Sequence, residues 1–442
     1  MLFLKFMTTV SKQLKQSIIW RGFYFITLLL VNIVISRVLK AEGAGIIFYL
    51  SNIFSFGVLI FSANLDGGFT FFASSKTIKH QKLASLAIVW TAVMGIIAFL
   101  ILPLYFKYFD TELQLNFNNI SQYGVFYIVG ILLVNFFTAL FYSKGNFFLP
   151  NIILAITNLL LIVLIYFGVY TGSSFEQIMH DYFQFLILQG VLLLVAFYWN
   201  YQIITKIELL NKPEFKDLIK YSSISLLGNF LFFFVYRIDY WFVKEWCTNV
   251  GDLGNYIQAS KLSQMLLIIP QILASSIFPQ LASGENNEQI VNTIAKLFRV
   301  FSIIFIIIFL IILLFGQWIF PFVFGNSFST MYMPMLILIP GIFCLCCSTL
   351  LSAYFSGKKQ NQINLYAAAF ALLIMIILTI SLKSNYNILI AASISSVTYF
   401  IETLFCFMHF SKNETLNWKQ IFNYSRKDWT WVKGILGINK TN

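Results

Sequence analysis

TKIELLNKPEFKDLIK, residues 205–220, is the most polar connection in a chain whose remaining length is dominated by apolar runs. Runs of about 20 apolar residues are long enough to cross a bilayer as helices. Six precede this stretch, near 17–38, 45–63, 83–106, 121–143, 147–170 and 180–203. Six more follow it, near 218–243, 253–279, 293–323, 331–355, 363–382 and 387–410. The expected fold is therefore an all-α polytopic membrane protein of about twelve transmembrane helices in two six-helix lobes, 1–205 and 218–410. A cytoplasmic linker, 206–217, joins the lobes, and a basic cytoplasmic tail, 411–442, follows them.

Composition agrees. Hydrophobic residues make up 59% of the 442 and charged residues only 10%, against about 25% charged in soluble domains. The net charge of +12 comes from basic residues spread thinly between apolar runs, which excludes a nucleic-acid module. Twenty-two of the 29 Lys and Arg fall in the segments that face inward if the N-terminus does, and five in the outward ones. Both termini are expected in the cytoplasm. The opening MLFLKFMTTVSKQLKQ lacks the apolar core and small-residue cleavage site of a signal peptide, and reads as an amphipathic lead-in to the first span.

Working outward from the divide, the two halves show a faint repeat. EGAGIIFYLSN (42–52) opens the second span and VGDLGNYIQASK (250–261) the eighth, and setting Gly45 on Gly254 puts Ser51 on Ser260 and Asn52 on Lys261. Six spans separate the copies, so both run the same way through the membrane, a parallel pseudo-repeat about its normal.

No connection exceeds about 15 residues, which leaves no room for a separate catalytic domain. Cys247, Cys344, Cys346, Cys347 and Cys406 match no zinc spacing and read as small buried hydrophobes. His80, His180 and His409 form no visible triad or metal cluster. Glycine loops that cradle phosphates are absent. The chain is read as a transporter rather than an enzyme, with no cofactor and no metal, driven by a gradient, by substrate asymmetry or by another protein.

Function then rests on ionisable groups within or beside the spans, where charge is expensive and marks pathways. These are Arg21, Asp66, Arg237, Asp239, Lys261 and Glu402. Arg237 and Asp239 lie in FFFVYRIDYWFVKEW (232–246), two residues and so about 200° apart on a helix; one faces a cavity and the other a neighbouring helix. Arg237 also has a plainer reading, snorkelling to the outer interface, as Arg21 has at the inner one. Lys261 is flanked by Gln258 and Gln264 at i−3 and i+3, a polar stripe that suits either a wet lumen or interhelical hydrogen bonds. Asp66, in ANLDGGFT (63–70), either balances charge or ends the second span. Glu402, in FIETLFC (400–406), pairs with a cation or carries a proton. Pro270 and Pro340 predict kinks in the eighth and tenth spans.

With these residues in place the chain resembles a family. SRVLKAEGAG (36–45), YRIDYWFV (236–243), VGDLGNYIQASKLSQMLLIIPQILASSIFPQLA (250–282) and FVFGNSF (322–328) look, in order and placement, like the Wzx-type O-antigen and capsule flippases of the multidrug/oligosaccharidyl-lipid/polysaccharide exporter superfamily. The likeness covers roughly residues 10–410. One departure is Leu39-Lys40, where that family commonly reads leucine-glycine. The resemblance implies a multi-pass bacterial inner-membrane protein of surface polysaccharide biosynthesis that moves undecaprenyl-diphosphate-linked oligosaccharide between leaflets by alternating access. It implies substrate binding by Arg237, Lys261 and Arg21 with Gln258 and Gln264. Asp239, Asp66 and Glu402 would balance charge or couple to a proton or sodium ion. Membrane lipids and the polysaccharide assembly machinery are the other expected partners. Two other readings compete, an ion-coupled multidrug exporter and a membrane polysaccharide polymerase. The cationic character of the deepest charges and the short outer loops argue against them.

Overall fold

The computed structural model describes residues 2–109, 117–201, 208–249, 251–282, 287–414 and 423. The outer loop around Asp110, the start of the expected linker and almost all of the basic tail lie outside the described residues.

The first helix, α1 (Leu2–Ser62), is far too long for one crossing. It is two spans joined at Lys40, whose backbone (φ 57°, ψ −175°) leaves helical geometry altogether. Then come α2 (Leu65–Ser74), α3 (His80–Phe109), α4 (Phe117–Ser143), α5 (Phe148–Thr171) and α6 (Phe175–Tyr201). The second half of the chain has α7 (Lys212–Arg237), α8 (Asp239–Trp246), α9 (Asp252–Met265) and α10 (Ile268–Ala282). It continues with α11 (Asn287–Phe324), α12 (Tyr332–Gly357), α13 (Asn361–Ser381) and α14 (Ile388–Glu414). There is no strand among the described residues.

Among the described residues, ten stretches are long and apolar enough to cross a membrane. One of them, Ile19–Ser62, holds the two spans of α1. α9 and α10, each too short alone, follow one another across Leu266 and Leu267 and supply one more. The result is twelve spans, six on each side of the polar connection. By contacts the chain divides into two compact units, 1–230 and 231–442, which meet within α7.

Proline and turn chemistry explain the breaks. Pro270 has no N–H to offer the carbonyl four residues back, that of Leu266, so the helix lapses there and Leu266 and Leu267 bond only three residues back, to Ser263 and Gln264 (3.1 and 3.0 Å). Pro340 behaves differently: it lies inside α12 without interrupting it. α7 starts on a reciprocal cap, with the Glu214 amide donating to Asn211 Oδ1 (2.8 Å) and the Asn211 amide to Glu214 Oε2 (2.9 Å). Lys82 of α3 donates to the same carboxylate at 2.9 Å.

In the first unit α4 packs on α1, α2, α3 and α6. It meets α6 closely because Gly130 and Gly190 face each other; a Cβ on Gly130 would lie 2.5 Å from the Leu186 backbone. A buried polar chain ties α1, α5 and α6. Gln189 Nε2 donates to Asn158 Oδ1 (2.8 Å), and Asn158 Nδ2 to Thr27 Oγ1 (3.1 Å). In the second unit α12 and α14 pack closely, with Gly341 against the Cα of Ser396. Glu414, at the end of α14, accepts from Lys358 Nζ (2.5 Å), Asn287 Nδ2 (2.8 Å) and the Tyr354 hydroxyl, gathering α11, α12 and α14. Cys346, Cys347 and Cys406 are buried and unbridged.

Candidate functional site

The second unit gathers most of the singled-out charges around α7, α8, α9 and α14. α7 ends at Arg237 and α8 begins at Asp239, so the two residues fall on either side of a one-residue interruption. Asp239 is 3% exposed. It turns to neighbouring helices, accepting from the Tyr256 hydroxyl of α9 (2.5 Å) and the Ser395 hydroxyl of α14 (3.0 Å), both at Oδ2. Its hydrogen bonds go there rather than to Arg237. The guanidinium of Arg237 lies 5.9 Å from the centre of the Tyr240 ring and within direct electrostatic reach of the Lys261 ammonium on α9. Arg237 thus bears electrostatically on both Lys261 and Asp239, in a region where bringing even one charge out of water is costly.

Neutral polar groups surround them. Gln264 donates to the Tyr236 carbonyl (3.3 Å) and to Ser260 Oγ (3.1 Å), and the Tyr240 hydroxyl donates to Ser260 Oγ (2.9 Å). Gln258 is buried, and its Oε1 has no hydrogen-bond partner among the described residues.

Seven residues along α14 from Ser395, Glu402 is 1% exposed and accepts from Ser348 Oγ of α12 (3.2 Å). Tyr399 lies between them on the same stripe, with its ring 5.9 Å from that of Tyr236. Asp239 Oδ1 and Glu402 Oε2 each lack a hydrogen-bond partner among the described residues. A buried carboxylate with one oxygen satisfied and one not is a group suited to taking up a proton or a small cation.

Arg21 and Asp66 belong to the first unit, where they line one cavity of about 290 Å³ with Tyr24, Asn135, Thr138 and Asn151. Arg21 of α1 lies 5.1 Å from the centre of the Tyr142 ring of α4. That ring's hydroxyl also accepts from Asn151 Nδ2 (2.9 Å). Asp66 falls in the first turn of α2, after a break at Ala63 and Asn64, whose φ values are 48° and 55°. It lines a cavity and opens a helix segment that runs on through Gly67 and Gly68, so it does not end the span, contrary to one reading of its sequence context.

Apart from Gln258 and Gln264, the neutral members of both sites escaped the sequence reading. A signal exists: Asn135, Thr138 and Tyr142 recur at +3 and +4 along α4, and Ser395, Tyr399 and Glu402 at +4 and +3 along α14, each one face of a helix. Hydroxyl and amide side chains are common enough in membrane helices that only the partner helix distinguishes a lining residue from a packing one.

With the geometry established, similarity to known proteins decides the family. The model of the family described as "Polysaccharide biosynthesis protein" matches residues 34–333, more than half of the chain. The chain belongs to that family. A curated relative, the "Probable low-salt glycan biosynthesis flippase Agl15" of Haloferax volcanii, is 22% identical over 233 residues. That match covers 51% of this chain and 48% of the relative, so the chain spans about half the length of the curated relative it matches. Among solved structures, the "Lipid II flippase MurJ, inward closed conformation" superposes with a TM-score of 0.70 at 15% identity over 96% of this chain and 93% of that one. An inward-facing multidrug resistance MATE family transporter of the MOP superfamily gives 0.67 at 15% identity over 89% and 96%. A Pyrococcus furiosus MOP superfamily transporter, titled for the reverse polarity of its binding pocket, gives 0.63 at 14% identity over 91% and 96%. The polysaccharide-family member thus has the fold of these transporters.

Proposed function

We propose that this protein moves a lipid-linked oligosaccharide, on an undecaprenyl-diphosphate carrier, across a bacterial inner membrane for surface polysaccharide biosynthesis. The observation that carries the reading is that Arg237 and Lys261 bear on one another electrostatically, while the hydrogen bonds of the adjacent Asp239 go to Tyr256 and Ser395. Concentrated positive charge at membrane depth suits an anionic headgroup, and the guanidinium fork can hold two phosphate oxygens at once. Arg21 is proposed as a cationic substrate contact in the cavity of the first unit, and in the second unit Gln258 and Gln264 offer hydrogen bonds to sugar hydroxyls. Asp239, Glu402 and Asp66 are proposed to balance these charges or to couple the cycle to a proton or sodium gradient. The second and eighth spans are both broken part-way, at Ala63–Asn64 and at Leu266–Leu267. Interruptions within membrane helices mark the binding and moving parts of transporters.

The likeness to a MATE transporter keeps a second reading in view, an ion-coupled drug exporter. Cationic drugs call for an anionic lumen, and Arg237 with Lys261 makes the opposite field. The test is glycan export in cells, normalised to membrane-inserted protein. Arg237→Ala is expected to abolish export and Arg237→Lys to restore part of it, whereas a snorkelling arginine would tolerate lysine. Full export by the Arg237→Ala, Lys261→Ala double variant would overturn the cationic-site mechanism.

A further inference from the structure

The lysine-rich end of the first unit carries a second feature that the cargo reading does not use, sharing Tyr142 with the Arg21 cavity. A cavity of about 640 Å³ opens between the α2–α3 and α4–α5 turns, lined by Ser74, Lys76, His80, Ser143, Lys144 and Tyr201 among others. Both turns contain a left-handed residue, Lys76 (φ 57°) and Gly145 (φ 71°). The Lys144 ammonium sits 3.9 Å from the centre of the Tyr201 ring, and His80 Nε2 lies 3.1 Å from Ser143 Oγ. Among the described residues, no acidic side chain lines the cavity. Glu214, at the same end of the unit, is held by Lys82 at 2.9 Å.

The cavity does not stop at its polar mouth. Phe147 and Tyr201 line it, and within two residues along each helix Leu149 and Trp199 begin an apolar groove of about 470 Å³ between α5 and α6. The groove runs along Ile153, Ile156 and Leu160 on one side and Val195 on the other. It faces outward: Trp199 is 83% exposed and Leu160 51%. From Leu149 to Leu160 it extends about 16 Å at 1.5 Å per residue, close to half of the roughly 30 Å hydrocarbon core.

We propose that cavity and groove together hold one anionic glycerophospholipid of the adjoining leaflet. Its phosphate would sit on Lys76, Lys144 and His80, and an acyl chain would lie along α5 and α6. The chemistry selects this occupant in two ways. A zwitterionic headgroup would bring an ammonium among lysines with no lining carboxylate to receive it. A long prenyl chain would overrun a groove one leaflet deep. The site shares Tyr142 with the Arg21 cavity but contains none of the charged cargo residues, and its lipid-binding test stands or falls independently of the flippase reading.

Native mass spectrometry of the full-length protein in detergent tests this, with phosphatidylglycerol, phosphatidylcholine, a long-chain polyprenyl phosphate and inorganic phosphate as probes. The wild type is expected to retain phosphatidylglycerol about tenfold over phosphatidylcholine. The Lys76→Ala, Lys144→Ala double variant should weaken that retention about 30-fold, two lysines' worth of attraction at a charged membrane surface. Ile156→Trp, which fills the groove without touching a charge, should weaken it too. Lys212→Gln with Lys216→Gln, at the same end but outside the cavity, should leave it unchanged. Equal retention of the two phospholipids by the wild type overturns the proposal without recourse to any variant. So does preferential retention of the polyprenyl phosphate, displacement by millimolar inorganic phosphate, or equal loss in both lysine pairs.

Discussion

Lys40 shows how much one residue's backbone can reveal. Its φ of 57° with ψ near −175° is a region that essentially only glycine occupies comfortably, and the resembling flippases commonly place glycine at this point after the leucine. The turn between the first two spans is therefore held in a strained form here by its neighbours. Lys40→Gly is expected to stabilise the protein by about 1 kcal/mol, the net of relieved strain of about 1–3 kcal/mol and glycine's added unfolded-state entropy. Thermal unfolding in detergent measures it, and a lowered midpoint would show that the lysine side chain does more than strain the turn. Glu402 is the other informative single residue, buried with Oε2 lacking a described partner. If it carries the coupling ion, Glu402→Gln should weaken gradient-driven flipping more than substrate binding, as Asp66→Asn should if that residue shares the role. A membrane potential of 100 mV offers about 2.3 kcal/mol per charge moved, enough to bias the cycle. Flipping that keeps its full gradient dependence in both variants would leave these carboxylates as structural groups.

At the scale of elements, the break between α9 and α10 is the feature to test. It follows from one missing amide hydrogen at Pro270, and it begins five residues beyond Lys261 on the span that carries that cation. Pro270→Ala should let the two helices fuse, raising thermal stability by about the net worth of one hydrogen bond, roughly 1 kcal/mol. Export should fall at the same time, because a continuous helix removes a hinge from the moving span. A variant that is both more stable and fully active would show that the break is tolerated rather than used. Pro340, inside an unbroken α12 packed closely on α14, shows that proline alone does not dictate a break; the neighbours decide whether the helix recovers.

For the molecule as a whole, the charge asymmetry of its connections predicts orientation. With twenty-two of 29 basic residues assigned to one side, both termini and the connection around Lys212 should be cytoplasmic and the loop around Asp110 periplasmic. Topology reporters fused near residues 110 and 212 read this directly. Activity of the fusion at 212 only in the periplasm would reverse the orientation and put the lysine-lined cavity of the first unit on the other face.

The span count, the six-and-six division and the presence of costly charges at Arg237, Lys261 and Glu402 could all be read from the sequence, because lipid admits so few solutions. A long apolar run must become a helix, and a charge inside one must have a purpose. The 200° separation of Arg237 and Asp239 was legible too, and Asp239 does turn to neighbouring helices through Tyr256 and Ser395. What the sequence could not supply was the surroundings themselves. That Asp239 would meet Tyr256 and Ser395, that Arg237 and Lys261 would share a field, and that Arg21 and Asp66 would line one cavity with Asn135, Thr138 and Asn151 are contacts between helices far apart in the chain. Periodicity states which face of a helix is polar; only packing chooses the helix opposite it, because nearly every amphipathic or small-residue face could be buried against more than one neighbour.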